Sequence, residues 1–521
     1  MRRMSAREHT VDGALGFWEI ARAHPKRVAV VGPDGAETTY GALYERVNRL
    51  SRGLRAFGLR PGDVVAVLLP NGTDFLAVQL ATAQLGLYLT AINWHLTADE
   101  IAYILTDSDA RVFLASARFA DAARAAATAA GLPPDRCFGV PEVAGFRPLT
   151  ELVAGQPADP PADRLAGRPM LYTSGTTGRP KGVRPRLPGC EPEADLARRL
   201  PTVVAQYGLT PGDGVHLVVS PLYHSAPARH AGWALHLGHL VVVMDRFTPE
   251  GALELIQRYR VTDSFMVPIM FQRLLALPEE TRKAYDTGSL RQVFHAGAPC
   301  PVETKRRMLE WWGPVLYEFY SSTEGGGTFV RPEEWLARPG TVGRAWLGAQ
   351  VRILDDDGRE LPPGKPGTVY LRNGDGFEYH KDPAKTAAAY RGDFFTVGDV
   401  GYLDEDGYLY LLDRRTDLII SGGVNIYPAE VEGVLQQHPA VGDVVVVGLP
   451  DPEWGQRVTA VVEPAAGVAP GAELAAELTA FCRERLAGYK CPREVRFAER
   501  LPRTPTGKLS RAHIRAEYAS G

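Results

Sequence analysis

Between Arg27 and Ser116 short apolar runs (RVAVVG, DVVAVLLP, ARVFLAS) alternate with amphipathic stretches such as YGALYERVNRLSRGLRAFG. The runs are too short for helices and show no polar alternation, so they read as strands buried on both faces. Strands spaced by helices in this way predict an α/β domain with a largely parallel sheet. The Ala-rich AARAAATAAGLPPDR, residues 122–136, predicts a helix ending at Gly131. The rhythm resumes in GVHLVVSPLYHSAP, HLVVVMDRF, VTDSFMVP and SLRQVFHAGAP, each read as a strand followed by a helical stretch. Such sheets gather ligands at the carboxyl ends of their strands, which directs attention to residues 220–227 and 296–300.

The pattern changes near Thr341. The segment VGRAWLGAQVRILDDDGRELPPGKPGTVYLRN sets turn signals (DDG, PPG, KPG) between short strand-like runs, and YLDEDGYLYLLDRRTDLIISGG continues in the same style with Asp406-Gly407 as a turn. A small β-barrel-like subdomain over about 340–411 is therefore expected. LDDDGRE carries part of a calcium-loop pattern, but no spaced acidic ligands follow it, and a hairpin turn is the reading adopted. Beyond Arg414 a βαββα-like remainder follows: YPAEVEGVLQQHP as helix, VGDVVVVGLP as strand, GAELAAELTAFCRERL as helix. The expected organisation is an N-terminal domain over 1–413 and a small, mobile α+β C-terminal domain over 414–521.

Composition narrows the partners. In 521 residues, 58 Lys and Arg stand against 61 Asp and Glu, and no basic block occurs, so nucleic acid is not an expected partner. No run of apolar residues is long enough to span a bilayer, and the residues after Arg2 and Arg3 are polar rather than a signal core. The five cysteines, Cys137, Cys190, Cys300, Cys482 and Cys491, have no metal-binding spacing, which suits reduced thiols in the cytoplasm.

One stretch stands apart. In MLYTSGTTGRPKGV, residues 170–183, seven of fourteen residues are Ser, Thr or Gly around a single lysine. A Walker A loop is excluded, because Gly182 stands where Ser or Thr should follow Lys181. What remains is an anion cradle or a solvated loop. In a cradle the glycines admit backbone N–H groups, the hydroxyls of Thr173, Ser174, Thr176 and Thr177 add donors, and Lys181 adds a charge.

Three further segments occur in order along the chain: YEFYSSTEGG, FFTVGDVGYLDEDGYLYLLDRRTDLIISGGVNIYPAEVE and LPRTPTGKLSR. With the cradle they resemble the adenylate-forming superfamily of acyl-CoA synthetases, aryl-CoA ligases, luciferases and non-ribosomal adenylation domains, from about Trp18 to Arg515. The resemblance implies ATP, Mg²⁺ and CoA as reactants and cofactor: a carboxylic acid becomes an acyl-adenylate, pyrophosphate departs, and CoA takes the acyl group. It assigns the β- and γ-phosphates to Thr173, Ser174, Gly175, Thr176, Thr177, Gly178 and Lys181, the Mg²⁺ to Glu324, and a phosphate contact to Thr323. Phe319 and Tyr320 would flank adenine opposite Gly297, Ala298 and Pro299. Asp399 and Arg414 would hold the ribose. Lys508 would bridge the carboxylate and the α-phosphate, then leave as the C-terminal domain rotates. The segment containing Gly422 and Gly423 would then complete the thiol channel. The hinge position, usually Asp or Lys in the family, is Thr416.

For the acid, His224 matches the family's gate residue. Counting along the helix from it, Ala226, His230 and Trp233 should face the substrate, with Met266, Val267 and His295 on neighbouring elements and Ser321 and Ser322 beside the phosphate motif. Arg229 and His230 stand where relatives more often carry apolar residues, which suggests a short, partly polar or aromatic acid. Two other acceptors stay open, a carrier-protein thiol and the chemistry of nitrite-activating diazotases acting on an aryl amine, as does a non-catalytic nucleotide-binding role. A homodimer is one state compatible with the reading.

Overall fold

A computed structural model describes residues 15–173, 180–372, 376–414, 417–421, 424–452, 454–503, 509 and 511–519. The fold is mixed α/β and parallel strands dominate it. Val64–Leu68, Tyr88–Ala91, Ala110–Ser116 and Cys137–Val140 belong to a six-stranded parallel sheet, and every residue of Val64–Leu68 is buried. In a nine-stranded sheet, Leu316–Ser322, Gln292–His295, Asp263–Met266, Val215–Val218, Leu240–Val243 and Val28–Val31 lie side by side and parallel, with antiparallel strands at both edges. Seven of these strands are those read from the apolar runs, whereas Tyr88–Ala91, Cys137–Val140 and Leu316–Ser322 were not read from the sequence.

Helices Tyr40–Ala56, Thr73–Ala83 and Ser225–His236 share one core with strands of both sheets: Val47, Leu50, Phe75, Leu76, Ala231 and Leu235 pack with Val65 and Val241. The first helix starts where Thr39 accepts a hydrogen bond from the Ala42 amide. The Ala-rich helix is Ala120–Ala129, and the chain turns away at Gly131, whose φ of 64° suits glycine.

In a smaller antiparallel sheet lie Gln350–Leu354, Gly367–Arg372, Asp399–Leu403 and Leu409–Arg414; the expected turns join the first to the second and the third to the fourth, and the Asp355 amide donates to the Arg359 carbonyl in the DDDG hairpin. Further on, Val441–Asp451 and Gly455–Pro464 form a long hairpin with helices Pro428–Leu435 and Ala472–Arg483. The sequence reading did not find a third strand, Glu494–Phe497, parallel to Gly455–Pro464. Its residues are all half-buried and two of the four are charged, so it carries no apolar run. Among the described residues no helix is long and apolar enough to cross a membrane.

One interaction in the nine-stranded sheet is costly if broken. Lys305, fully buried on helix Val302–Trp312, places its ammonium 2.7 Å from Glu318 and over the Trp335 ring. Burial raises the Glu318 pKa while Lys305 opposes the rise. Removing one member strands a charge in an apolar core; removing both does not. Lys305→Met is expected to lower the unfolding free energy by about 3–5 kcal/mol, and adding Glu318→Leu to restore most of it. Urea denaturation of the two variants checks this.

Candidate active site

The cradle segment spans two antiparallel strands, Leu171–Thr173 and Lys181–Pro185, with Lys181 directly opposite Thr173. A third strand, Phe377–Tyr379, pairs with the second so that Tyr379 lies opposite Val183. The Lys181 ammonium thus sits 4.9 Å from the centre of the Tyr379 ring, and the Tyr379 hydroxyl donates to Glu324 Oε1 at 2.8 Å. Glu324 is held in the two-residue turn, Thr323-Glu324, between the paired Ser322 and Gly325. A Cβ at Gly327, where φ is 151°, would lie 2.2 Å from the Tyr320 carbonyl, so this close strand pairing requires glycine there.

Lys181, expected at the β- and γ-phosphates, and Glu324, expected at Mg²⁺, come from separate motifs and are joined through Tyr379. Burial and the neighbouring Lys385 ammonium hold the Lys181 pKa below its usual range. Among the described residues no group of three His, Cys, Asp or Glu could hold a metal. A cation at Glu324 would rely on one carboxylate, phosphate oxygens and water, which fits Mg²⁺ better than a cation wanting an all-protein cage.

A second group lies on the neighbouring strands. The Tyr320 hydroxyl donates to Asp399 Oδ2 at 2.6 Å, and backbone pairing sets Asp399 opposite Arg414. The adenine and ribose assignments thus meet at one hydrogen bond. Gly297, Ala298 and Pro299 follow the strand Gln292–His295, and Gly297 lies close to Val267. Ser174, Gly175, Thr176, Thr177, Gly178, Thr416, Gly422, Gly423 and Lys508 lie outside the described residues, as does the side chain of Arg414.

The residues expected to face the acid are only partly brought together. On helix Ser225–His236, Ala226, His230 and Trp233 share one face and one apolar cluster, with His224 at the N-cap. His230, 3% exposed, stacks on Phe265 and Phe319 with centroids 5.3 and 5.8 Å away, while Phe294, Trp233 and Tyr207 meet it at steeper angles. Met266 and His295 do not join this cluster. Neighbouring residues on a strand face opposite sides of the sheet. Met266 therefore packs in the other core beside Met270, and His295 against Phe271 and the Lys305–Glu318 pair. Phe319 follows the same rule: its ring joins His230, on the side opposite Tyr320. Ser321 and Ser322 direct their hydroxyls to the Ser322 and Gly325 carbonyls. Arg229 is half-buried, donates to Ser225 Oγ at 2.9 Å and lies over Trp233.

The His230 ring has a defined tautomer. Nδ1 donates to the Ala226 carbonyl at 2.9 Å, so Nε2 is left as an acceptor, and that atom is buried without a hydrogen-bond partner. Beneath the ring, His216 lies 6.4 Å away and binds Asp263 at 2.5 Å. The sequence reading missed Phe265, Phe294, Tyr379 and Lys385. The alternation of side chains along VTDSFMVP and LRQVFHAG carried a signal for the first two, and the cross-strand position of Tyr379 carried none.

A family model described as "AMP-binding enzyme" matches residues 17–377, and one described as "AMP-binding enzyme C-terminal domain" matches residues 430–508. The chain is 36% identical to a feruloyl-CoA synthase of Amycolatopsis sp., over 97% of this chain and 99% of that protein. It is 33% identical to a long-chain-fatty-acid–CoA ligase of Mycobacterium tuberculosis, over 96% and 97%. Among solved structures, an amide bond synthetase from Marinactinospora thermotolerans superposes with a TM-score of 0.82 at 30% identity, covering 94% of this chain and 97% of that one.

Burial pushes the pKa of His230, and likewise of His236, down to about 3. These rings stay neutral in the folded chain but take up a proton in the unfolded one below the ordinary histidine value of about 6.5. Their contribution to stability is full above that value and falls as pH drops towards about 3, by up to about 1.4 kcal/mol per pH unit for each ring. Unfolding free energy should therefore fall between pH 7.5 and 5.5, and His230→Phe should make the fall shallower. A slope unchanged by the substitution would show that His230 is protonated in the fold.

Proposed function

The chain belongs to the AMP-binding enzyme family and is an AMP-forming acid–CoA ligase, and we propose that its acid is small and aromatic, with a hydrogen-bond donor at the end remote from the carboxylate. The observation that carries this is the neutral His230, its Nε2 an unused acceptor among Phe265, Phe294, Phe319 and Trp233. Aromatic walls favour a flat ring, and a buried acceptor favours a hydroxyl or N–H over a methyl. A long aliphatic chain would cover Nε2 without satisfying it.

A carboxylate is a poor electrophile because its leaving group would be oxide; adenylation replaces that with AMP. As the carboxylate attacks the α-phosphorus, charge moves onto pyrophosphate, where the cradle donors and Lys181 receive it. Mg²⁺ would neutralise part of this charge from Glu324, whose orientation the Tyr379 hydroxyl fixes. Asp399, steadied by Tyr320, would accept from the ribose hydroxyls, and Arg414 would support it. Lys508 would act only in the adenylation step and yield its place when the segment with Gly422 and Gly423 closes on the thiol. His224 would gate the carboxylate end of the pocket. The likeness to an amide bond synthetase keeps an amine acceptor as a second reading.

Incubation with ATP, Mg²⁺ and a panel of short, aromatic and fatty acids, with and without CoA, tests this by mass spectrometry. An aryl-AMP without CoA and an aryl-CoA with it are the expected products; amide formation in preference to thioester would favour the second reading. Lys508→Ala should abolish acyl-AMP formation yet spare thioester formation from supplied acyl-adenylate, and an equal loss in both steps would assign the lysine a structural role. His230→Phe should shift relative kcat/KM away from a hydroxyl-bearing aryl acid towards its unsubstituted partner by on the order of tenfold. Equal losses on both acids would remove the case for a polar substrate.

A further inference from the structure

Lys385 has no assigned role, yet its position is fixed from several sides. It stands on helix Pro383–Ala389, which begins four residues after Tyr379. Asp382 caps the helix, accepting from the Lys385 amide at 3.0 Å, and the Tyr379 amide donates to Thr386 Oγ1 at 2.9 Å. The strand that carries the Lys181–Tyr379–Glu324 group is thereby tied to the residue next to Lys385. The Lys385 ammonium lies 3.7 Å from Asp382, with its side chain 39% exposed, and its charge acts on Lys181.

Two ammonium groups repel when they converge, and this pair is only partly compensated. Among the described residues no carboxylate lies within 4.0 Å of Lys181, which rests over the Tyr379 ring, and Glu324 is engaged by the Tyr379 hydroxyl. An anion with several oxygens would meet both ammonium groups at once and relieve the repulsion.

We propose that Lys385 is a second polyphosphate-binding lysine, which with Lys181 holds the β- and γ-phosphates of ATP and then the departing pyrophosphate. The proposal rests on the reading of this site as an ATP site. It makes the end of the triphosphate, rather than the nucleoside, the part that Lys385 recognises. AMP, which lacks those phosphates, should be indifferent to it.

The test compares wild type, Lys385→Ala and Lys385→Arg for binding of a non-hydrolysable α,β-methylene ATP and of AMP, by calorimetry. Lys385→Ala should weaken the ATP analogue by on the order of tenfold and leave AMP within about twofold, while Lys385→Arg recovers most of the loss. Unchanged affinity for the analogue in Lys385→Ala overturns the proposal, as does an equal loss for AMP, which would mark a general disturbance of the site. A wild-type protein that binds the analogue no more tightly than AMP would instead defeat the underlying phosphate reading, and the proposal with it.

Discussion

A residue on a β-strand cannot face both sides of its sheet, and the working parts of this protein follow from that restriction. In the strands Asp263–Met266, Gln292–His295 and Leu316–Ser322, Phe265, Phe294 and Phe319 turn to one side and surround His230. Their neighbours Met266, His295 and Glu318 turn to the other, where an apolar core encloses one buried ion pair. The same three strands thus pack an aromatic cluster around His230 on one face and a stabilising core on the other. Changing the register of any one by a single residue would exchange their contents.

The Lys181–Tyr379–Glu324 group depends on pairing rather than on packing. Lys181, Glu324 and Tyr379 are far apart in the chain and meet because the strand after the cradle pairs with Phe377–Tyr379, while a tight turn presents Glu324 to the Tyr379 hydroxyl. A tyrosine between a lysine and a carboxylate keeps both oriented without letting them neutralise each other. Each charge therefore meets the tyrosine, the lysine at the ring and the carboxylate at the hydroxyl.

Much of this was legible in the sequence. Unalternating apolar runs marked the parallel strands, and the four motifs marked the family because each combines unusual residue types in a set order. The common face of Ala226, His230 and Trp233 followed from helical spacing. Errors arose where the reading depended on which side of a strand a residue takes. Met266 and His295 are expected on elements beside the acid helix, whereas Phe265 and Phe294, one position earlier in each strand, are the residues that meet His230. Tyr379 could not be found locally, because its place comes from pairing with a strand nearly two hundred residues away.

In an AMP-forming acid–CoA ligase the acid is activated before any acceptor is involved. Exchange of radiolabelled pyrophosphate into ATP, measured without CoA, examines that step alone. The expected result is exchange that depends on an aryl acid and is strongest for one bearing a ring hydroxyl. Exchange with nitrite and an aryl amine but with no carboxylic acid, or no exchange across the whole acid panel, would contradict it.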